Sequence, residues 1–302
     1  MAPWQPRFHE ALERSGRSRH TARAYRQHVD RFVRWFEETS ECPFRPQNFG
    51  EADAVAYRQY LLRVRRLRPA SVNQALYALR WFGRWAMREG LLAEEPMAAV
   101  PAVRRTRRRQ PAALVDPEVH ALLRAAGESP RGLGRRNYAL IQLLLQAGLR
   151  VGELVALRGE DLVVRERSGL ARVRQGKGEK DRDLPLNATA RRALRAYAGE
   201  RPEPSPTAPF FQSAGGMGLS VRAIEKLLTE LARRAKITRI PVTPHTLRHT
   251  FAVNYLRDHP GQLVELADLL GHDSLDTTAV YTRPALEELA RDLEESRFNV
   301  DP

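Results

Sequence analysis

The stretch PMAAVPAVRRTRRRQPAAL, residues 96–114, divides this chain. Pro96, Pro101 and Pro111 each lock φ and lack an amide N–H, so no helix or strand can run through the segment. Between them Arg104, Arg105, Arg107, Arg108 and Arg109 crowd like charges together and stay in water. One core cannot bridge such a tract, and 302 residues is about two domains' length. The expected organisation is an N-terminal domain over residues 1–99, a basic linker over 100–113 and a second domain over 114–302. The linker reads either as a solvated tether or as a segment that crosses a nucleic-acid groove and tracks phosphates.

Charge follows the same division. The net charge is +14, and residues 1–109 hold 22 of the 50 Lys+Arg against 11 of the 36 Asp+Glu. The remainder is close to balance, so the excess is local and points to a polyanion gripped by the first third of the chain. Cys42 is the single cysteine, which excludes an intrachain disulfide and a thiolate metal cluster and fits a reducing, cytoplasmic setting. The N-terminus lacks the apolar core of a secretory signal, and the most apolar run, Ala139–Leu149, is far shorter than the roughly 20 residues that span a bilayer. No membrane association is expected.

The fold class expected is mainly α with a small antiparallel β-sheet. In the first domain Tyr25, Val29, Phe32, Val33 and Phe36 recur at helical spacing. A second helix covers Asp53–Val64 and ends before Pro69, and a third runs from an N-cap at Ser71 to a stop at Gly90. Residues 7–95 therefore read as a helical bundle. The second domain opens with helices over Pro117–Ala126 and Arg135–Ala147, the latter closed by Gly148, and a short helix begins near Val151. DLVVRERSGLARVRQGKGEKDRDLPL alternates in the strand manner with turns at SG and GKGE, which predicts a three-stranded antiparallel meander. The proline-rich stretch 202–209 reads as a surface connection, and after Ser220 the pattern is helical to near the end.

The second domain also carries a chemical set. Arg150 follows the glycine stop, with Glu153 three residues on; alone, this pair reads as an ordinary surface ion pair. Only 4 of the 50 basic residues are lysines, and two of them, Lys177 and Lys180, share the GKGEK hairpin. Lysine can give up a proton near neutrality, which a guanidinium cannot, so Lys177 reads either as a donor to a leaving alkoxide or as a solvated turn lysine. His245 and Arg248 share a helical face behind a Thr243–Pro244 start, and His249 points elsewhere, into packing or into contact with a residue that supports the site. His272 follows a helix stop at Gly271, and Tyr281 comes nine residues later. Two arginines to hold phosphate oxygens, imidazoles to move protons and a phenol to bond phosphorus form what a metal-free attack on a phosphodiester requires. Metal binding is a poor rival: there is no HExxH and no dense ligand spacing. His9, His20, His28, His120 and His259 are scattered. A GxxxxGK[ST] loop is missing, so no nucleotide cofactor is expected.

The ordered elements GLRVGEL, GKGEK, HTLRH, LLGH and the following tyrosine resemble the tyrosine recombinase (phage integrase) family. The likeness covers residues 140–283, and the N-terminal part is similar to that family's core-binding domain. The resemblance implies an N-terminal helical bundle plus a mixed α+β catalytic domain of the tyrosine recombinase type. It implies Arg150 and Arg248 as catalytic arginines, Lys177 as general acid, His245 and His272 as the histidine positions, Tyr281 as nucleophile and Glu153 as a supporting carboxylate. DNA contacts would come from Arg104, Arg105, Arg107, Arg108, Arg109 and Lys180. It further implies site-specific DNA recombination through a 3′-phosphotyrosine without metal or nucleotide. The enzyme would be an Xer-like integrase acting on double-stranded DNA, as a tetramer assembled through the C-terminal run ALEELARDLEESRF, whose leucine spacing by itself reads as packing on its own subunit. Integration or excision of a mobile element and resolution of chromosome or plasmid dimers both fit. The loop DHPGQ before LLGH is slightly longer than in typical Xer-type members, so no subfamily is assigned. A type IB topoisomerase, which relaxes supercoils with the same chemistry, and a catalytically silent DNA-binding module are the alternative readings.

Overall fold

The computed structural model describes residues 3–104, 113–130, 132–174, 181–200, 205–271 and 278. It divides into two compact units, Met1–Arg108 and Arg109–Pro302.

The first unit is a helical bundle of α1 (Trp4–Arg14), α2 (Arg19–Ser40), α3 (Glu51–Gln59) and α4 (Pro69–Arg88). The apolar stripe of α2 is buried as its spacing requires, with Val29, Phe32, Val33 and Phe36 in the core. It meets α4, whose buried face holds Leu76, Leu79, Phe82 and Trp85. Trp4 and Phe8 of α1 close the same core; their ring centroids lie 5.1 Å and 5.2 Å from that of Phe82. Several boundaries differ from the sequence expectation, two of them for a local reason. α4 begins at Pro69 rather than after Ser71, because a proline already has the φ of a first helical turn and its missing N–H is not needed there. The second helix stops being α-helical at Gln59 and finishes as a π turn, Tyr60–Val64. Residues 100–104, read as the start of the linker, lie against this unit. Val100 is buried, and the Asn73 side-chain amide both donates to the Val103 carbonyl (3.0 Å) and accepts from its N–H (2.8 Å). Arg104 is exposed just beyond.

The second unit is built on α6 (Gly134–Ala147), which packs against α5 (Asp116–Gly127), α8 (Ala188–Ala198) and α10 (Pro244–Asp258). Its residues Ala139 to Leu144 are buried on every face, as expected of a central helix. The remaining elements are α7 (Val151–Ala156), α9 (Val221–Arg234), α11 (Leu263–Leu270) and three strands, β1 (Leu162–Val164), β2 (Gly169–Val173) and β3 (Arg182–Pro185). The strands form the expected antiparallel meander in order β1-β2-β3, with Val163 opposite Leu170 and Ala171 opposite Leu184. Ser220 caps α9 through a 3.2 Å bond from the Ala223 N–H. The helical reading after Ser220 is interrupted, however: residues 235–243 connect α9 to α10 without helix. Among the described residues no helix is long and apolar enough to cross a membrane.

Candidate active site

Two glycines set the geometry. Gly148 stops α6 in the left-handed conformation (φ 59°), and Gly271 stops α11 in the same way (φ 63°). Gly148 also lies where α10 comes close, and a Cβ there would stand 2.4 Å from the Phe251 ring. The chain turns at Gly148 and delivers Arg150 to the N-cap of α7. Glu153, at the third position of that helix, accepts the Arg150 amide at 2.8 Å, half of a capping box.

α11 ends with carbonyls that no intrahelical N–H can reach, and these carry the negative end of the helix dipole. Three guanidinium groups from distant parts of the chain meet them. Arg248, on the second turn of α10, donates to the Leu270 carbonyl (2.7 Å) and to the Gly148 carbonyl (2.7 Å). Arg150 donates to the Gly271 carbonyl (2.7 Å) and to a Glu153 oxygen (2.9 Å). Arg182, the first residue of β3, donates to the Leu269 carbonyl (3.1 Å). The two arginines picked out in the sequence are thus brought to consecutive carbonyls, immediately before His272. Arg248 is buried, whereas the Arg150 side chain is 41% exposed and accessible to a ligand.

Glu153 is not an ordinary surface partner of Arg150. Its side chain is only 11% exposed, and both oxygens are gripped by Arg182 at 3.0 and 2.9 Å. Burial pushes its carboxyl pKa up, but the bonds from Arg182 and from the Arg150 amide and guanidinium outweigh that and hold it below its ordinary value. A carboxyl lowered on folding adds stability above its unfolded pKa and loses it as pH falls through the folded one. Glu153→Gln removes the carboxylate charge that Arg182 and Arg150 share, and should lower stability by about 3–5 kcal/mol near neutrality, as breaking a buried ion pair does. The gap from wild type should narrow as pH drops through the carboxylate range, about 4.3 and below. Urea melts of both proteins across that range check this.

His245 sits exposed on the first turn of α10, one turn ahead of Arg248. The helix starts as expected: the Thr243 hydroxyl accepts the Thr246 N–H at 3.1 Å, and Pro244 occupies the first turn. His249 is buried, in line with a packing role. Lys177, Lys180, His272, Tyr281 and the linker arginines Arg105, Arg107, Arg108 and Arg109 lie outside the described residues. Sequence reasoning passed over Arg182. Its signal was strand alternation, which puts it on the same face of β3 as buried Leu184, where a charge requires partners.

The phage integrase family model matches residues 113–288, and the family's N-terminal SAM-like domain matches residues 4–91. The tyrosine recombinase XerD of Ralstonia nicotianae is 33% identical, over 95% of this chain and 94% of its own. The tyrosine recombinase XerC of Xanthomonas campestris pv. campestris is 33% identical, over 91% of this chain and 81% of its own. In fold the chain is similar to the XerH site-specific recombinase in a post-cleavage complex with palindromic difH substrate (TM-score 0.76, 20% identity, 97% of this chain and 85% of that one). Taken with the arginine cluster, these likenesses establish that the chain belongs to the phage integrase family, the tyrosine recombinases, which are enzymes of site-specific DNA strand exchange.

Proposed function

We propose that this recombinase binds duplex DNA and exchanges strands through a covalent link from Tyr281 to a 3′-phosphate. The observation that carries the reading is the convergence of Arg150 and Arg248 on the Gly271 and Leu270 carbonyls, with His272 next in the chain. In the reaction the Tyr281 phenol oxygen bonds to the scissile phosphorus and the bond from phosphorus to the 5′-oxygen breaks. His245 takes the phenol proton, and Lys177 gives a proton to the departing oxygen. Arg150, Arg248 and His272 meet the charge that builds on the non-bridging oxygens. A phosphodiester is exchanged for a phosphotyrosyl ester of similar energy, so a 5′-hydroxyl from a second duplex can reverse the step with no metal or nucleotide.

The basic first unit, Arg104 to Arg109 and Lys180 would hold DNA phosphates, and the setting is cytoplasmic. Covalent capture from a pool of nicked random-sequence duplexes tests the reading, and the captured DNA reports the target site. Exchange between two copies of that site, with no preferential relaxation of supercoils, separates a recombinase from a topoisomerase. The acidic, leucine-spaced segment after Pro284 is assigned to docking on a neighbouring protomer in a DNA-bound tetramer. Truncation after Pro284 should leave single-site cleavage within about threefold but reduce pairing of two sites by at least tenfold, as loss of a linked contact does. Native gels of paired-site complexes measure it; unchanged pairing would leave that segment packing only on its own subunit.

A further inference from the structure

The Glu153 carboxylate is shared in an uneven way. Arg182 approaches it with two prongs, one to each oxygen, while the Arg150 guanidinium reaches only one oxygen with a single nitrogen. The Arg182 side chain is 12% exposed and also donates to the Leu269 carbonyl, so it joins β3, α7 and the end of α11 at one point. If Arg182 were absent, the carboxylate would have one strong partner left. A two-pronged Arg150–Glu153 pair is the favoured geometry for those groups, and it would turn the guanidinium away from the Gly271 carbonyl. It would also cancel, locally, the charge that a phosphate must meet.

We propose that Arg182 is a positioning residue: by occupying both oxygens of Glu153 and the Leu269 carbonyl, it keeps the charge and orientation of Arg150 available to the scissile phosphate. The inference rests on the reading of Arg150 given above. It adds that the side chain opening β3 controls the first arginine through the carboxylate rather than touching DNA.

The test compares Arg182→Met and Arg182→Lys with wild type in the full-length chain. The probe is a nicked duplex cleaved by wild type, made once with a phosphodiester and once with an uncharged methylphosphonate at the cleavage position. On the phosphodiester, Arg182→Met should form adduct on the order of 10²-fold more slowly, as expected for a displaced catalytic group, with DNA affinity within about threefold. On the methylphosphonate, which lacks the charge that Arg150 answers, the deficit should shrink to below about fivefold. Arg182→Lys, which keeps the charge but not the fork, should fall between. Adding Glu153→Gln to Arg182→Met should restore part of the lost rate, because the competing carboxylate is gone. Equal deficits on both duplexes, or a double variant slower than Arg182→Met, would reduce Arg182 to a structural residue and overturn the proposal. If Arg182→Met does not fold, the lysine variant carries the same two-duplex comparison with the same criterion. Cleavage of the probe by wild type without a covalent protein–DNA adduct would instead defeat the assignment of Arg150 and Tyr281 from which the inference starts.

Discussion

Tyr281→Phe should bind its duplex as tightly as wild type and never become attached to it. The substitution removes one oxygen atom and leaves the ring, so folding and phosphate contacts persist while the only atom proposed to bond phosphorus is gone. Adduct formation should fall by on the order of 10⁵-fold or more, since loss of a nucleophile removes the reaction path and not one contributor to it. Denaturing gels that retain only covalent complexes, run beside native gels, separate the two properties. Residual attachment at even one-hundredth of the wild-type rate would place the nucleophile elsewhere.

Arg248→Ala should damage both fold and reaction. The residue is 6% exposed, and its guanidinium donates to the Gly148 and Leu270 carbonyls, which joins the end of α6 to the end of α11. Removing it strips two buried carbonyls of charge-assisted bonds, which destabilises the protein by about 2–5 kcal/mol. In the proposed reaction it would also remove a preset cation from the phosphate, with an expected loss of about 10²–10³-fold in rate. Arg248→Lys keeps the charge but cannot reach two carbonyls at once, so it should recover some rate and little stability. Denaturant melts and adduct rates on one nicked duplex check both parts. An alanine variant that melts like wild type would show that these carbonyl contacts do not hold the site together.

Much of this was legible in the sequence because local rules operate there. The α2 stripe, the Gly148 stop, the Thr243–Pro244 start and the β1–β3 meander each depend on residues near one another, and each is found where expected. Ser71 failed as an N-cap because Pro69 offered an earlier start. The α1 helix from Trp4 was missed in part: the expected bundle began at residue 7, yet Trp4 packs on Phe82, and that aromatic contact fixes the earlier turn. The site was legible as far as its motifs went, which paired Arg150 with Glu153 and set His245 one turn from Arg248. Arg182 was not, because its partners Glu153 and Leu269 lie far along the chain, and strand alternation marks only that it shares a face with buried Leu184, not what it meets there. The burial of Arg248 is likewise a tertiary fact: α6 and α11 must both arrive before its two carbonyls exist in one place.

Which residue carries the DNA decides whether Tyr281 is the nucleophile. Wild-type protein is trapped on a nicked suicide duplex, protein and nucleic acid are digested, and the modified peptide is sequenced by tandem mass spectrometry. A single nucleotide-bearing residue is expected, Tyr281, joined through a 3′-phosphate. Attachment to any other side chain, or cleaved DNA with no attached residue, would contradict that assignment.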